Sequence, residues 1–120
     1  MKKVLTSSLT LLLTLAFVLP MSACKGQSLP MTQEVHDRGQ NIVQVTEQYL
    51  AGGISAEQAR DSVTAECVAM SNVVDYSLEG DATVMAYANL INTELNLVCS
   101  GSDNMDSMLR DDTQSLKDLL

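Results

Sequence analysis

Apolar residues fall into two regimes along this chain. From Val4 to Leu19 they are nearly continuous, broken only by small residues such as Thr6, Ser7, Ser8, Thr10 and Thr14. Beyond Pro30 they recur every three or four positions, the repeat of one face of an α-helix. Four such segments follow, separated by glycine. The first runs from Pro30 to Leu50, with Ser28 as a candidate cap and Pro30 suited to a first helical turn. Its stripe is Met31, Val35, Ile42, Thr46 and Tyr49. Gly39 falls on that stripe, either as a break or where another helix approaches closely. The β-branched run Ile42 to Thr46 favours strand in isolation, but Gln, Glu and Leu surround it and no partner strand is visible. Gly52 and Gly53 end the segment. The second has a capping box, Ser55 with Gln58 three residues on, and a stripe of Ala59, Val63, Cys67, Met70 and Val74. In the third, Asp81 is the expected cap, and Met85, Ala88, Leu95 and Cys99 lie beside Val84, Ile91 and Val98. Gly101 ends it. The fourth is capped by Ser102 or Asp103 and carries Met105, Met108, Leu109, Leu116 and Leu119. Asp103 and Asp106 at its start and Lys117 near its end suit the helix dipole. The predicted fold is all-α, a small antiparallel bundle of three to four helices.

The first regime is a different object. Lys2 and Lys3 precede the apolar run and small residues follow it, the layout of a secretory signal. No later stretch is long and apolar enough to span a bilayer. Met21-Ser22-Ala23-Cys24 resembles the lipobox of bacterial lipoproteins, with Met where an aliphatic residue, often Leu, is usual. That resemblance implies diacylglycerol on the Cys24 sulfur, cleavage before Cys24 and acylation of the new amine, for example by palmitate. Several acyl chains give a stable anchor. Without lipidation, the same segment describes ordinary secretion with Cys24 a mature thiol. The implied location is the cell membrane or outer membrane, facing the periplasm or cell exterior. Lys25, standing where Asp would signal inner-membrane retention, favours the outer membrane in a two-membrane host. The chain then divides into a signal peptide (1–23), a lipidated tether (24–29) and one helical domain (30–120).

Charge narrows the partners. Two of the seven basic residues lie in the signal, leaving five against fifteen acids, a net charge of −10. The five (Lys25, Arg38, Arg60, Arg110 and Lys117) are scattered. Such a surface repels nucleic acid and anionic headgroups, so no nucleic-acid partner is expected. The membrane is reached through lipid on Cys24. The mature part contains no Phe or Trp, and a domain of this size buries a modest core. A covalent staple is therefore expected. Once Cys24 is lipidated, Cys67 and Cys99 are the remaining cysteines, in a compartment where disulfides persist. In the chain-entropy view, closing that loop adds about 3.7 kcal/mol. In a straight antiparallel pair, however, the two cysteines lie several residues out of level, so the bond demands tilted helices or a frayed end.

Little of this inventory suits catalysis. His36 is the one histidine; beside Asp37 and Arg38 it reads as an exposed, ion-paired side chain. Glu57/Asp61 and Asp111/Asp112 read as solvated acidic faces. Gly80-Asp81-Ala82 and Gly101-Ser102-Asp103 lack phosphate-loop spacing, and Asp103 to Asp106 lacks the glycine and distal glutamate of a calcium loop. Cys67 with Met70, and Met105 with Met108, offer soft ligands of the kind that select Cu(I), but methionines at helical spacing are ordinary core filler. No catalytic residue, cofactor-binding residue or metal ligand is assigned, and the chain is not expected to be an enzyme. The leading expectation is a membrane-anchored envelope lipoprotein whose acidic helical domain binds another envelope protein. An immunity-like or inhibitory protein that neutralises a cationic toxin or hydrolase is the alternative. A metal or small-ligand carrier is a third.

Overall fold

Each helix-period segment beyond Pro30 forms a helix. The computed structural model describes residues 29–120. Helix α1 spans Gln33–Leu50, α2 Ala56–Ser71, α3 Glu79–Cys99 and α4 Asp106–Leu119, and no strand occurs among the described residues. The lipobox, Cys24 and Ser28 lie outside them.

The helices run up and down, each packed on its sequence neighbours, with α4 closing onto α1. Polar contacts across the seams record the antiparallel registers. Arg38 reaches Glu66 at 3.2 Å, Thr64 donates to Asn92 at 2.9 Å, and Lys117 reaches Glu47 at 3.2 Å. Of the two diagonals, α1–α3 is in contact and α2–α4 is not. Gly39 explains the difference. A Cβ there would lie 3.2 Å from Val84 and from the Leu120 side chain, so glycine lets the α1 backbone close on its neighbours.

The core matches the stripes. Val35, Ile42, Ala59, Val63, Met70, Val84, Ala88, Ile91, Leu95, Leu109 and Leu116 are fully buried, each larger aliphatic contributing about 1.5–3 kcal/mol. Thr46 is buried too, and its hydroxyl is satisfied by donating to the Ile42 carbonyl at 2.8 Å. The β-branched run Ile42 to Thr46 is helical throughout. The capping box at Ser55 and Gln58 is complete in both directions. Gly52 and Gly101 take left-handed conformations after α1 and α3, with φ of +82° and +93°.

Several ends differ from expectation. Helix α1 begins at Gln33 after Thr32, leaving Pro30 to Thr32 as an extended strap. Helix α2 stops at Ser71, so Val74 packs on the core from the following loop. Asp81 is not the cap of α3: Leu78 occupies that position without a side-chain bond, and Asp81 sits one turn inside. Neither Ser102 nor Asp103 caps α4, which starts after Met105. Asn104 turns the chain there with φ +67°, a conformation asparagine tolerates better than most. Met108 is half exposed, so the α4 stripe narrows to Leu109, Thr113 and Leu116.

The expected Cys67–Cys99 disulfide is not formed; both thiols are free. The register is the reason. The Cys67 thiol lies against the Ala88 carbonyl, 3.5 Å away, and Ala88 precedes Cys99 by eleven residues on α3. At about 1.5 Å per residue that separates the thiols by roughly 16 Å along the helix, far beyond bonding reach.

The strap is held by close approach. Gly80 donates its N–H to the Pro30 carbonyl at 2.9 Å. A Cβ at Gly80 would lie 2.3 Å from that oxygen and 2.9 Å from its carbon, a clash with backbone that no rotamer relieves. Gly80→Ala should therefore detach the strap and cost about 2–4 kcal/mol despite alanine's better helix propensity. Urea unfolding of the two proteins reads this directly, and equal midpoints would refute it.

Candidate interaction face on the third helix

Helix α3 differs from the others in charge. Between Asp81 and Asp103 its single charged residue is Glu94, and Glu94 is buried, 2% exposed. The outward face of α3 from Ala86 to Ser100 is thus Ala86, Asn89, Leu90, Thr93, Asn96, Leu97 and Ser100, all exposed and all uncharged, with the exposed Glu79 two turns before it. Leu90 and Leu97 are 42% and 41% exposed. They lie seven residues apart, two turns of one face. Val68 of α2 and Met108 of α4, 60% and 50% exposed, lie on the helix sides turned toward α3. Val68 is one turn beyond Thr64, which bonds Asn92. Met108 is one turn before Asp112, which faces Glu94. By contrast, α1 exposes Glu34, Asp37 and Glu47, α2 exposes Glu57 and Asp61, and α4 exposes Asp106, Asp111 and Asp118.

Glu94 is the most unusual group in the domain. Among the described residues no N–H or O–H donor reaches either of its oxygens. Burial first, then the neighbouring Asp112 carboxyl, push the Glu94 carboxyl up to about 8. Asp112 is accordingly not the fully solvated acid expected of Asp111/Asp112; Asp111 is exposed, whereas Asp112 is half buried. Beside it, Thr113 is 3% exposed and its hydroxyl has no partner among the described residues. The signal for Glu94 was present in the spacing, three residues after Ile91 and four before Val98 on one stripe.

Asp81 is a second buried carboxylate, fully satisfied. It accepts from the Thr32 backbone N–H at 2.7 Å, the Thr32 hydroxyl at 3.1 Å and the Asp75 N–H at 2.9 Å. Its place in the first turn of α3 adds the favourable end of the helix dipole. One side chain thereby ties the strap, the α2–α3 loop and α3 together.

The remaining sequence candidates are dispersed. His36 is partly buried; its Nε2 lies 3.2 Å from the Leu120 carbonyl and its Nδ1 3.4 Å from Asp37. Asp37 is held below its ordinary pKa by the Gln33 side-chain hydrogen bond, then by His36. Glu57 and Asp61 are exposed, and Asp61 pairs with Arg60 at 3.0 Å. Cys67 is buried and, chiefly through that burial, its thiol is pushed up to about 11, which makes it a poor nucleophile. Cys67 and Met70 lie inside the core, Met105 is partly buried and Met108 is on the surface. Among the described residues no three His, Cys, Asp or Glu side chains gather as metal ligands. Two shallow depressions of about 460 and 650 Å³ adjoin between α1 and α4, sharing Glu47, Ala51 and Lys117. The Glu47–Lys117 ion pair belongs to both, and the larger one is lined by Gln40, Gln44 and Gln48 beside Val43, Ala51 and Leu120. No family model, curated protein or solved structure matches this chain.

Proposed function

We propose that this chain is an envelope lipoprotein, anchored through lipid on Cys24, whose helical domain is a non-catalytic protein-binding module. The observation that carries this reading is the outward face of α3, where Leu90 and Leu97 are exposed without a charged neighbour on their stripe. Water-facing leucines on an uncharged strip cost solvation that contact with another apolar surface recovers. On an otherwise strongly acidic protein, that strip is the side best suited to close contact. The tether after Cys24 is short, so the domain would stay near the lipid surface and meet partners confined there. Electrostatic masking of a cationic target would use the acidic faces of α1, α2 and α4 instead, and would leave the α3 leucines without a role.

Membrane attachment is tested with the intact protein. In the wild type, the N-terminal peptide should begin at Cys24, carry lipid mass and sediment with membranes. Cys24→Ser should abolish the lipid mass and the cut that depends on it. An unmodified Cys24 thiol in the wild type would remove the anchor from this reading.

A further inference from the structure

We propose that the α3–α4 seam is a pH-sensitive latch, in which ionisation of the buried Glu94 carboxyl releases α4 while α1, α2 and α3 stay packed. Three seams of the bundle carry polar ties. Arg38 and Asn41 of α1 reach Glu66 of α2, Thr64 of α2 donates to Asn92 of α3, and Lys117 of α4 reaches Glu47 of α1. The α3–α4 seam is built differently. Apart from Glu94 and the Asp112 carboxyl facing it, α3 and α4 share no side-chain hydrogen bond or ion pair among the described residues.

Nothing around Glu94 offsets its charge. The side chain is 2% exposed and, among the described residues, neither oxygen receives a donor. The charged group that acts on it, Asp112, is itself an acid. On α1, Gly39 adjoins Val84, and ten residues on from each lie Tyr49 and Glu94. The Tyr49 hydroxyl, however, turns to Asp106 at 3.5 Å. On α2, Arg60 pairs with Asp61 at 3.0 Å. On α4, Lys117 is taken by Glu47, and Arg110 lines the depression toward α1. An ionised Glu94 therefore has neither water nor a counter-charge, and relief comes from water entering the seam as the proton passes to solvent.

Helix α4 is the element suited to leave. At 14 residues it is the shortest of the four, and its buried side chains are Leu109, Thr113 and Leu116. The Thr113 hydroxyl has no partner among the described residues. It packs on α1 and α3 but not on α2, and its ties Lys117–Glu47 and Tyr49–Asp106 are exposed. An isolated helix of this length is marginal in water, so released α4 loses its backbone hydrogen bonds. Leu109 and Leu116, buried in the closed bundle, then form an apolar surface found only in the open state.

The test is native-state hydrogen exchange of the full chain in detergent micelles at pH 6 and pH 8, corrected for intrinsic exchange rates. Peptides of α4 should be less protected than those of α2, and their protection should not respond to low urea, the mark of a local opening. With the carboxyl near 8 when closed and near 4.5 when open, α4 protection should fall about 50-fold between the two pH values. Glu94→Gln should remove that fall. Asp112→Asn, which takes away the lesser cause and leaves burial in place, should only reduce it. Peptides of α4 that share the protection and urea response of α2 overturn the latch, because the bundle then opens as a whole. So does α4 protection that is the same at both pH values, or a pH response that persists in Glu94→Gln.

Discussion

Glu94→Gln makes the domain more stable at neutral pH, by about 3 kcal/mol at pH 7, and changes it little at pH 4. The carboxyl titrates near 4.5 when free and near 8 in the fold. Because the folded value is raised, the folded state holds a proton that the unfolded state has released anywhere between those limits. Stability from Glu94 is fully present below about 4.5, declines as pH rises, and is lost once pH passes about 8. Each pH unit inside that window costs about 1.4 kcal/mol. Glutamine keeps the shape and removes the titration. For a domain of this size, a gain of about 3 kcal/mol raises Tm by 10 °C or more. Thermal melts of both proteins from pH 4 to 9 would show wild-type Tm falling through the window and the variant nearly flat. Parallel curves would mean that Glu94 is ionised in the fold.

Asp81→Ala acts in the opposite direction. It removes the acceptor for the Thr32 N–H, the Thr32 hydroxyl and the Asp75 N–H in one step. The side chain is fully buried, so water cannot replace it without opening the site. Breaking a buried charge network of this kind costs about 3–5 kcal/mol, a large share of the 5–15 kcal/mol typical of a domain. Asp81→Asn should fall between, because its carbonyl oxygen still accepts while its amide presents a donor to a donor. Urea denaturation should rank wild type above Asp81→Asn above Asp81→Ala. A loss below about 1 kcal/mol for alanine would show that the strap and loop are not held through this residue.

These two carboxylates also mark where sequence reading reached its limit. Local rules worked wherever the determinant was local. The Ser55 and Gln58 box, the glycines after α1 and α3, and the three-and-four spacing of Val35, Val63, Ile91 and Leu109 each act within a turn or two, and each appears as expected. Gly39 was legible as a place of close approach, although the partners Val84 and Leu120 were not. Asp81 reads locally as a cap; its partners Thr32 and Asp75 come from other segments, and only the assembled bundle brings them in. Glu94 was visible as an acid within an apolar stripe, but a single acid there does not reveal that Asp112 waits across the seam. The Cys67–Cys99 pairing came from counting cysteines and from compartment, whereas bonding depends on helix register, which places Ala88 opposite Cys67. The uncharged stretch of α3 was written in the sequence; its meaning required knowing which side of the helix the bundle leaves outside.

The most direct measurement is salt-stepped release of whatever the lipidated protein holds in its own envelope, comparing wild type with Leu90→Asp. An interface built on Leu90 and Leu97 should survive about 1 M salt, where the screening length is about 3 Å, and should be lost in Leu90→Asp even at low salt. Release of the wild-type complex at moderate salt, with Leu90→Asp behaving identically, would contradict an apolar contact on α3 and place binding on the acidic faces instead.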